Sequence, residues 1–288
     1  MQEDKIHFYQ HMKSVAINLC PNETEDDYIP GSGLLISWLE EYDRWFKSAL
    51  DIFQGEHAYA LYNRQITLFG KNLLKVPDIL SKLAPTVISM GFALSITVDI
   101  MELYEDYNIV KFLCDNYLLS SIGIYTDNAG KLSELTDMES FLMQITELKR
   151  PIGLIGSVKL LRRNGILGRY SLNSMDITLY PLPYEDSIQV DRVYPYFEKS
   201  CANHLQLYIN PDGNIYPCLG LLGLEDYSIA NIKDGMAGFN LIGERAKTDL
   251  LKLYLQGPDL EEEIGYHQST TSLPWICEQH RMELQKDA

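Results

Sequence analysis

Two short segments of the chain share one spacing: Cys201-Ala202-Asn203-His204 and Cys277-Glu278-Gln279-His280 are both Cys-x-x-His pairs. That spacing lets a thiolate and an imidazole grip one ion from a turn or from a single helical face. Thiolates and imidazoles suit zinc or an iron-sulfur cluster. With Cys218 added, the candidate ligands Cys201, His204, Cys218, Cys277 and His280 exceed the four that either centre needs. Cysteines are also among the commonest buried small hydrophobes. Metal, cluster and plain burial all stay open on spacing alone.

The element that positions Cys201 and Cys218 is legible. Leu205, Leu207 and Ile209 alternate with their neighbours, and Asn210-Pro211-Asp212-Gly213 then supplies proline for the first turn position and glycine for the left-handed one. Strand resumes at Asn214-Ile215-Tyr216, so the stretch spells a β-hairpin. With the turn centred on Pro211 and Asp212, Cys218 falls opposite Leu205 or Gln206, close to His204, and Cys201 must bend back to reach it.

Upstream of the hairpin, β-rich runs alternate with helical patterns. Strands are expected at 14–20, 65–70, 92–99, 120–127, 153–161 and 176–182. Helices are expected at 34–53, from Pro77 to about Gly91 with Pro85 as an early break, at 102–117 and at 138–148. In the first helix Leu35, Trp38, Leu39, Tyr42, Trp45, Phe46, Ala49 and Leu50 recur at steps of three and four, a pattern of core or of a partner groove. Strand and helix repeating about every 25 to 30 residues imply parallel strands with crossover helices, hence an α/β barrel or part of one. After Pro183 the chain turns proline- and tyrosine-rich, which places a domain boundary near residue 185, between segments 1–185 and 186–288.

Composition narrows the partners. The 288 residues are 46% hydrophobic and 22% charged, ordinary for a globular chain, and the formal net charge is −16. Such a surface repels phosphate backbones and anionic lipid, so neither nucleic acid nor membrane is expected. A basic peptide or protein suits it better. The opening MQEDKIHFYQHMK has no apolar run like that of a signal peptide, and a cytoplasmic location is expected. In that reducing setting the five cysteines do not imply a disulfide framework. Gly31-Ser32-Gly33 lacks the strand before it and the lysine after it that a phosphate loop requires, and Gly153 to Gly156 read as close packing inside a strand.

Cys201, eleven residues, Gly213, four residues, Cys218, followed by Tyr-Ser-Ile-Ala-Asn-Ile at 227–232, resembles the opening of the SPASM domain appended to radical SAM peptide-modifying enzymes. In that family these cysteines help hold an auxiliary iron-sulfur cluster. The later, denser cysteines of the domain are reduced here to Cys277. The resemblance implies a partial (β/α)6-type barrel of radical SAM type followed by a small SPASM-like C-terminal domain. It also exposes two departures. The Cys-x3-Cys-x2-Cys loop after the first strand keeps Cys20, while Thr24 and Asp27 stand at the other two places. The Gly-Gly-Glu-Pro motif after the second strand reads Phe69-Gly70-Lys71-Asn72, so a cation stands where the family has a carboxylate. Cys20, Gly70, Lys71 and Asn72 are thus vestigial positions, and cleavage of S-adenosylmethionine is not expected. What the resemblance implies is a pseudo-radical-SAM scaffold that binds a ribosomally made precursor peptide or an active radical SAM enzyme during peptide maturation. The alternative is a metalloenzyme using the C-terminal Cys and His residues on zinc or iron for a non-radical reaction.

Overall fold

The computed structural model describes residues 14–19, 32–51, 64–70, 72–126, 128–157, 177–182, 206–216, 228 and 230–235. They form a mixed α/β fold in which most strand pairs are parallel. In chain order the elements are β1 (Ser14–Asn18), α1 (Ser32–Asp51), β2 (Gln65–Phe69), a 3-10 turn (Leu73–Lys75), α2 (Pro77–Ser89), β3 (Ala93–Asp99), α3 (Ile100–Glu105) and α4 (Tyr107–Asp115). There follow β4 (Ser121–Tyr125), α5 (Ala129–Leu135), α6 (Met138–Thr146), β5 (Ile152–Ser157), β6 (Ile177–Leu182), β7 (Gln206–Ile209), β8 (Asn214–Tyr216), β9 (Ala230–Asn231) and a second 3-10 turn (Ile232–Asp234). They fall into two compact units.

One unit holds the strands β2 to β6, hydrogen-bonded in sequential order and all parallel. Short helical crossovers return the chain to the same edge after β2, β3 and β4, as parallel pairing requires. On β3 the side chains of Leu94, Ile96 and Val98 are fully buried, and Ser95 on the other face is 4% exposed. The strand alternates, with Leu94, Ile96 and Val98 on one face and Ser95, Thr97 and Asp99 on the other. Ser95 is satisfied across the sheet by Ser121 Oγ at 2.6 Å and by Gln65 Nε2 at 2.7 Å. Gly156 on β5 is required by packing, because a Cβ there would overlap the Thr126 hydroxyl, which is itself buried and donates to the Ile155 carbonyl.

The helices of this unit depart from the sequence pattern in three places. The expected helix over 102–117 is two helices, α3 starting at Ile100 behind an Asp99 cap and α4 starting at Tyr107. No Gly or Pro marks the break; Asp106 leaves helical geometry at φ −113°, and its carboxylate receives Lys75 Nζ at 2.7 Å from a distant turn. Helix α2 runs through Pro85, which lies on the solvent side while Leu83, Ala84 and Val87 are buried around it. Burial of those neighbours outweighs the lost backbone donor. Helix α5 was not expected from periodicity: at seven residues, of which only Ala129 and Leu132 are buried, it is too short to show a stripe.

The second unit contains β1, α1, β7, β8 and β9. Strand β1 pairs parallel with β7, Ser14 opposite Gln206 through Ile17 opposite Ile209. The hairpin β7–β8 is present, with Tyr208 opposite Tyr216, Gly213 at φ 84° and Gly213 N donating to the Asn210 carbonyl. Strand β9 extends it antiparallel through Ile215 and Ala230. On α1, Leu35, Trp38, Leu39 and Tyr42 are buried, and the Trp38 and Tyr42 rings stack at 5.4 Å, so this part of the aromatic stripe is core. The buried Arg64 guanidinium pairs with Asp43 of the same helix. Among the described residues no helix is long and apolar enough to cross a membrane.

Candidate functional site

In a parallel sheet the strands end together, and the loops that follow them enclose a crevice at the carboxyl edge. Here the registers set Phe69 opposite Thr97 and Asp99 opposite Tyr125, which brings the ends of β2, β3 and β4 side by side. A cavity of about 540 Å³ opens there, lined by Phe69, Gly70, Asn72, Lys75, Asp99, Met101, Glu102, Glu105, Tyr125 and Asn128. That size suits a small ligand or one side chain of a larger one.

Each polar group on its wall is held by a local device. Asp99 ends β3 and caps α3, its Oδ1 accepting from Met101 N at 2.8 Å. Its Oδ2 accepts from Asn128 Nδ2 at 2.9 Å, which orients the asparagine that follows β4. Asn72 sits in the left-handed region at φ 62° and precedes the 3-10 turn, and Gly70 has φ 134°. The backbone thus turns sharply after β2 and points the Leu74 amide at the cavity wall, where it donates to Glu102 Oε1.

Glu102 carries the unusual electrostatics. It is 7% exposed, and its second oxygen, Oε2, is buried with no hydrogen-bond partner among the described residues. Burial pushes its carboxyl above the usual range; the Leu74 amide and Lys75 pull the other way, and Asp99 and Asp106 add to the rise. Lys75 is engaged elsewhere, by Asp106 at 2.7 Å and Glu105 at 3.6 Å. The hydrogen bond to Asp106 first, and the charges of Asp106 and Glu105 with it, hold the Lys75 ammonium above its ordinary pKa. A buried, desolvated carboxylate in the wall of a cleft is a mark of a functional site.

Of the sequence-derived site positions, Gly70 and Asn72 line this cavity. Lys71, Cys20 and the whole candidate metal set, Cys201, His204, Cys218, Cys277 and His280, lie outside the described residues. Among the described residues no group of three or more His, Cys, Asp or Glu is placed to hold a metal ion. The one cysteine described in detail, Cys114, is buried, and burial raises its thiol pKa to about 11, the state of an inert core residue. Asp99, Glu102, Glu105 and Asn128 were missed from sequence. The signal available was Asp99 with Glu102 three residues on, immediately after a strand, which has the form of a capping box. Glu102 does not close that box but turns to the Leu74 amide instead.

No protein-family model matches the chain, and no curated protein matches it.

Proposed function

We propose that the chain is a non-radical scaffold of radical SAM ancestry that binds a ribosomally made precursor peptide or an active radical SAM partner enzyme. In this reading β2 to β6 belong to a partial six-stranded barrel over residues 1–185. Residues 186–288 form a SPASM-like domain, whose Cys and His residues are the ligands for any iron-sulfur cluster or zinc. One observation carries the reading: a cavity opens at the carboxyl edge of β2, β3 and β4, with carboxylate and amide side chains set in a largely apolar lining. Its acidic groups come from Asp99 and α3, and Gly70 and Asn72, which flank the position where the resemblance would put a carboxylate and this chain has Lys71, line it from the segment after β2. The formal charge of −16 supports a basic partner.

The test has two arms on the full chain. After anaerobic reconstitution with iron and sulfide, reduction in the presence of S-adenosylmethionine is expected to give no 5′-deoxyadenosine, while a panel of labelled basic peptides binds saturably by fluorescence anisotropy. Deoxyadenosine formation would overturn the reading, and a panel in which no peptide binds would overturn its peptide arm and leave the partner enzyme. Elemental analysis of the same preparation, before and after Cys218→Ser, reports whether the C-terminal set holds a metal.

A further inference from the structure

Glu102 is an anomaly of satisfaction. Buried polar atoms in native proteins are nearly all hydrogen-bonded, and an orphaned charged oxygen is costly. Yet Glu102 is over nine-tenths buried, lines the cavity, and among the described residues leaves Oε2 without a partner. Among the described residues, Lys75, whose charge acts on Glu102, is drawn to Asp106 and Glu105 instead. We propose that this cavity is a receptor for a primary ammonium group, with Glu102 Oε2 as its principal acceptor. The inference rests on the peptide-binding reading and deepens it by naming the group a peptide presents, a lysine side chain or a free N-terminus.

The chemistry of the wall selects among cations. A divalent metal prefers about six oxygen ligands, and no group of three candidate ligands converges among the described residues. A guanidinium gains most from a carboxylate that offers both oxygens in a fork. Glu102 has one oxygen committed to the Leu74 amide, so it offers a single acceptor, which suits a compact ammonium. An ammonium carries three donors. Beside Glu102 the same wall supplies the Glu105 carboxylate and the amide of Asn128, whose nitrogen is committed to Asp99 and whose oxygen is the end left to accept. Phe69 and Tyr125 line the cavity as aromatic surface for the methylene stem and for cation–π attraction. A hydrogen bond from an ammonium to this carboxylate is worth roughly tenfold to a hundredfold in affinity.

The experiment titrates the full chain by calorimetry with three probes. They are n-butylammonium chloride, a blocked tripeptide with a central lysine, and the same tripeptide with norleucine, which keeps the methylene stem and lacks the ammonium. Both ammonium probes are expected to saturate one site and to compete, with the norleucine peptide at least about tenfold weaker. Glu102→Gln, which keeps an oxygen for the Leu74 amide, is expected to lose about the same factor, while the exposed Glu134→Gln on α5 changes nothing. The proposal is overturned if norleucine binds as tightly as lysine, if Glu102→Gln binds undiminished, or if neither ammonium probe saturates and Oε2 is satisfied by water alone. Should Glu102→Gln fail to fold, the lysine and norleucine comparison on the wild-type chain decides. Butylammonium binding without peptide binding supports the ammonium receptor and overturns the peptide arm of the scaffold reading. Peptide binding that is indifferent to Glu102 and to the norleucine exchange does the reverse.

Discussion

Replacing Glu102 by glutamine should stabilise the folded chain at neutral pH, and the gain should fade in acid. In the fold the carboxyl is 7% exposed, with Oε1 held by the Leu74 amide and Oε2 without a partner among the described residues. An unsatisfied buried acceptor costs about 1–3 kcal/mol, and more when charged. Glutamine keeps the oxygen facing Leu74 and places an NH2 group near Asp99 and Asp106, whose charges already act on this site. The weaker, uncharged bond to Leu74 offsets part of the gain, leaving a net stabilisation of about 1–2 kcal/mol. For a chain of this size that is roughly 2–4 °C in Tm per kcal/mol. The pH dependence follows from the direction of the shift. The folded chain holds the Glu102 proton more tightly than the unfolded chain, because burial raises its carboxyl pKa. Below the unfolded-state value both states are protonated and Glu102 exacts no penalty; as pH rises from that value through the raised folded value the penalty grows, and above it the penalty is constant. Urea unfolding of wild type and variant near neutrality and again near pH 4 measures both terms. A variant less stable than wild type at neutrality, or a stability gap that does not change between the two pH values, would refute the reasoning.

Two further substitutions probe how the elements are held. Arg64→Met leaves the buried Asp43 carboxylate with only the half-exposed Lys47 as a cationic partner among the described residues and should destabilise by about 1–3 kcal/mol, whereas the Asp43→Leu, Arg64→Met double variant should recover part of that, as read by denaturant midpoints; an additive double variant would show that the pair is not coupled. Gly156→Ala drives a methyl group into the buried Thr126 hydroxyl and should cost about 1–3 kcal/mol, and pairing it with Thr126→Ala should return most of the loss in thermal unfolding.

Much of the element order was readable because its signals are local. Alternation at the second, third and fourth strands survives almost to the residue, since β2, β3 and β4 lie inside the expected runs. The hairpin was the clearest case: Pro211, Asp212 and Gly213 encode their own turn, and Gly213 takes the positive φ that the turn demands. Pattern reading failed where a long-range contact overrode it. The apolar stripe of Leu103, Val110, Leu113 and Cys114 continues across the break between α3 and α4, so periodicity sees one helix. The break carries the ion pair between Asp106 and Lys75, residues 31 apart in sequence. Pro85 misled in the opposite direction, because its helix is held by buried neighbours that a local rule does not weigh.

By itself the sequence determined the alternation of strand and helix, the hairpin turn and the acidic character of the chain; each is a property of neighbouring residues or of simple composition. Which residues meet at the carboxyl edge was decided only by tertiary structure. Phe69, Asp99 and Tyr125 become neighbours through the parallel registers of β2, β3 and β4. Glu102 becomes a half-satisfied buried carboxylate because an amide 28 residues away, at Leu74, takes one oxygen and none of the described residues satisfies the other. Hydrogen-bond satisfaction is a sum over everything that surrounds an atom, and a linear pattern of residue types does not contain that sum.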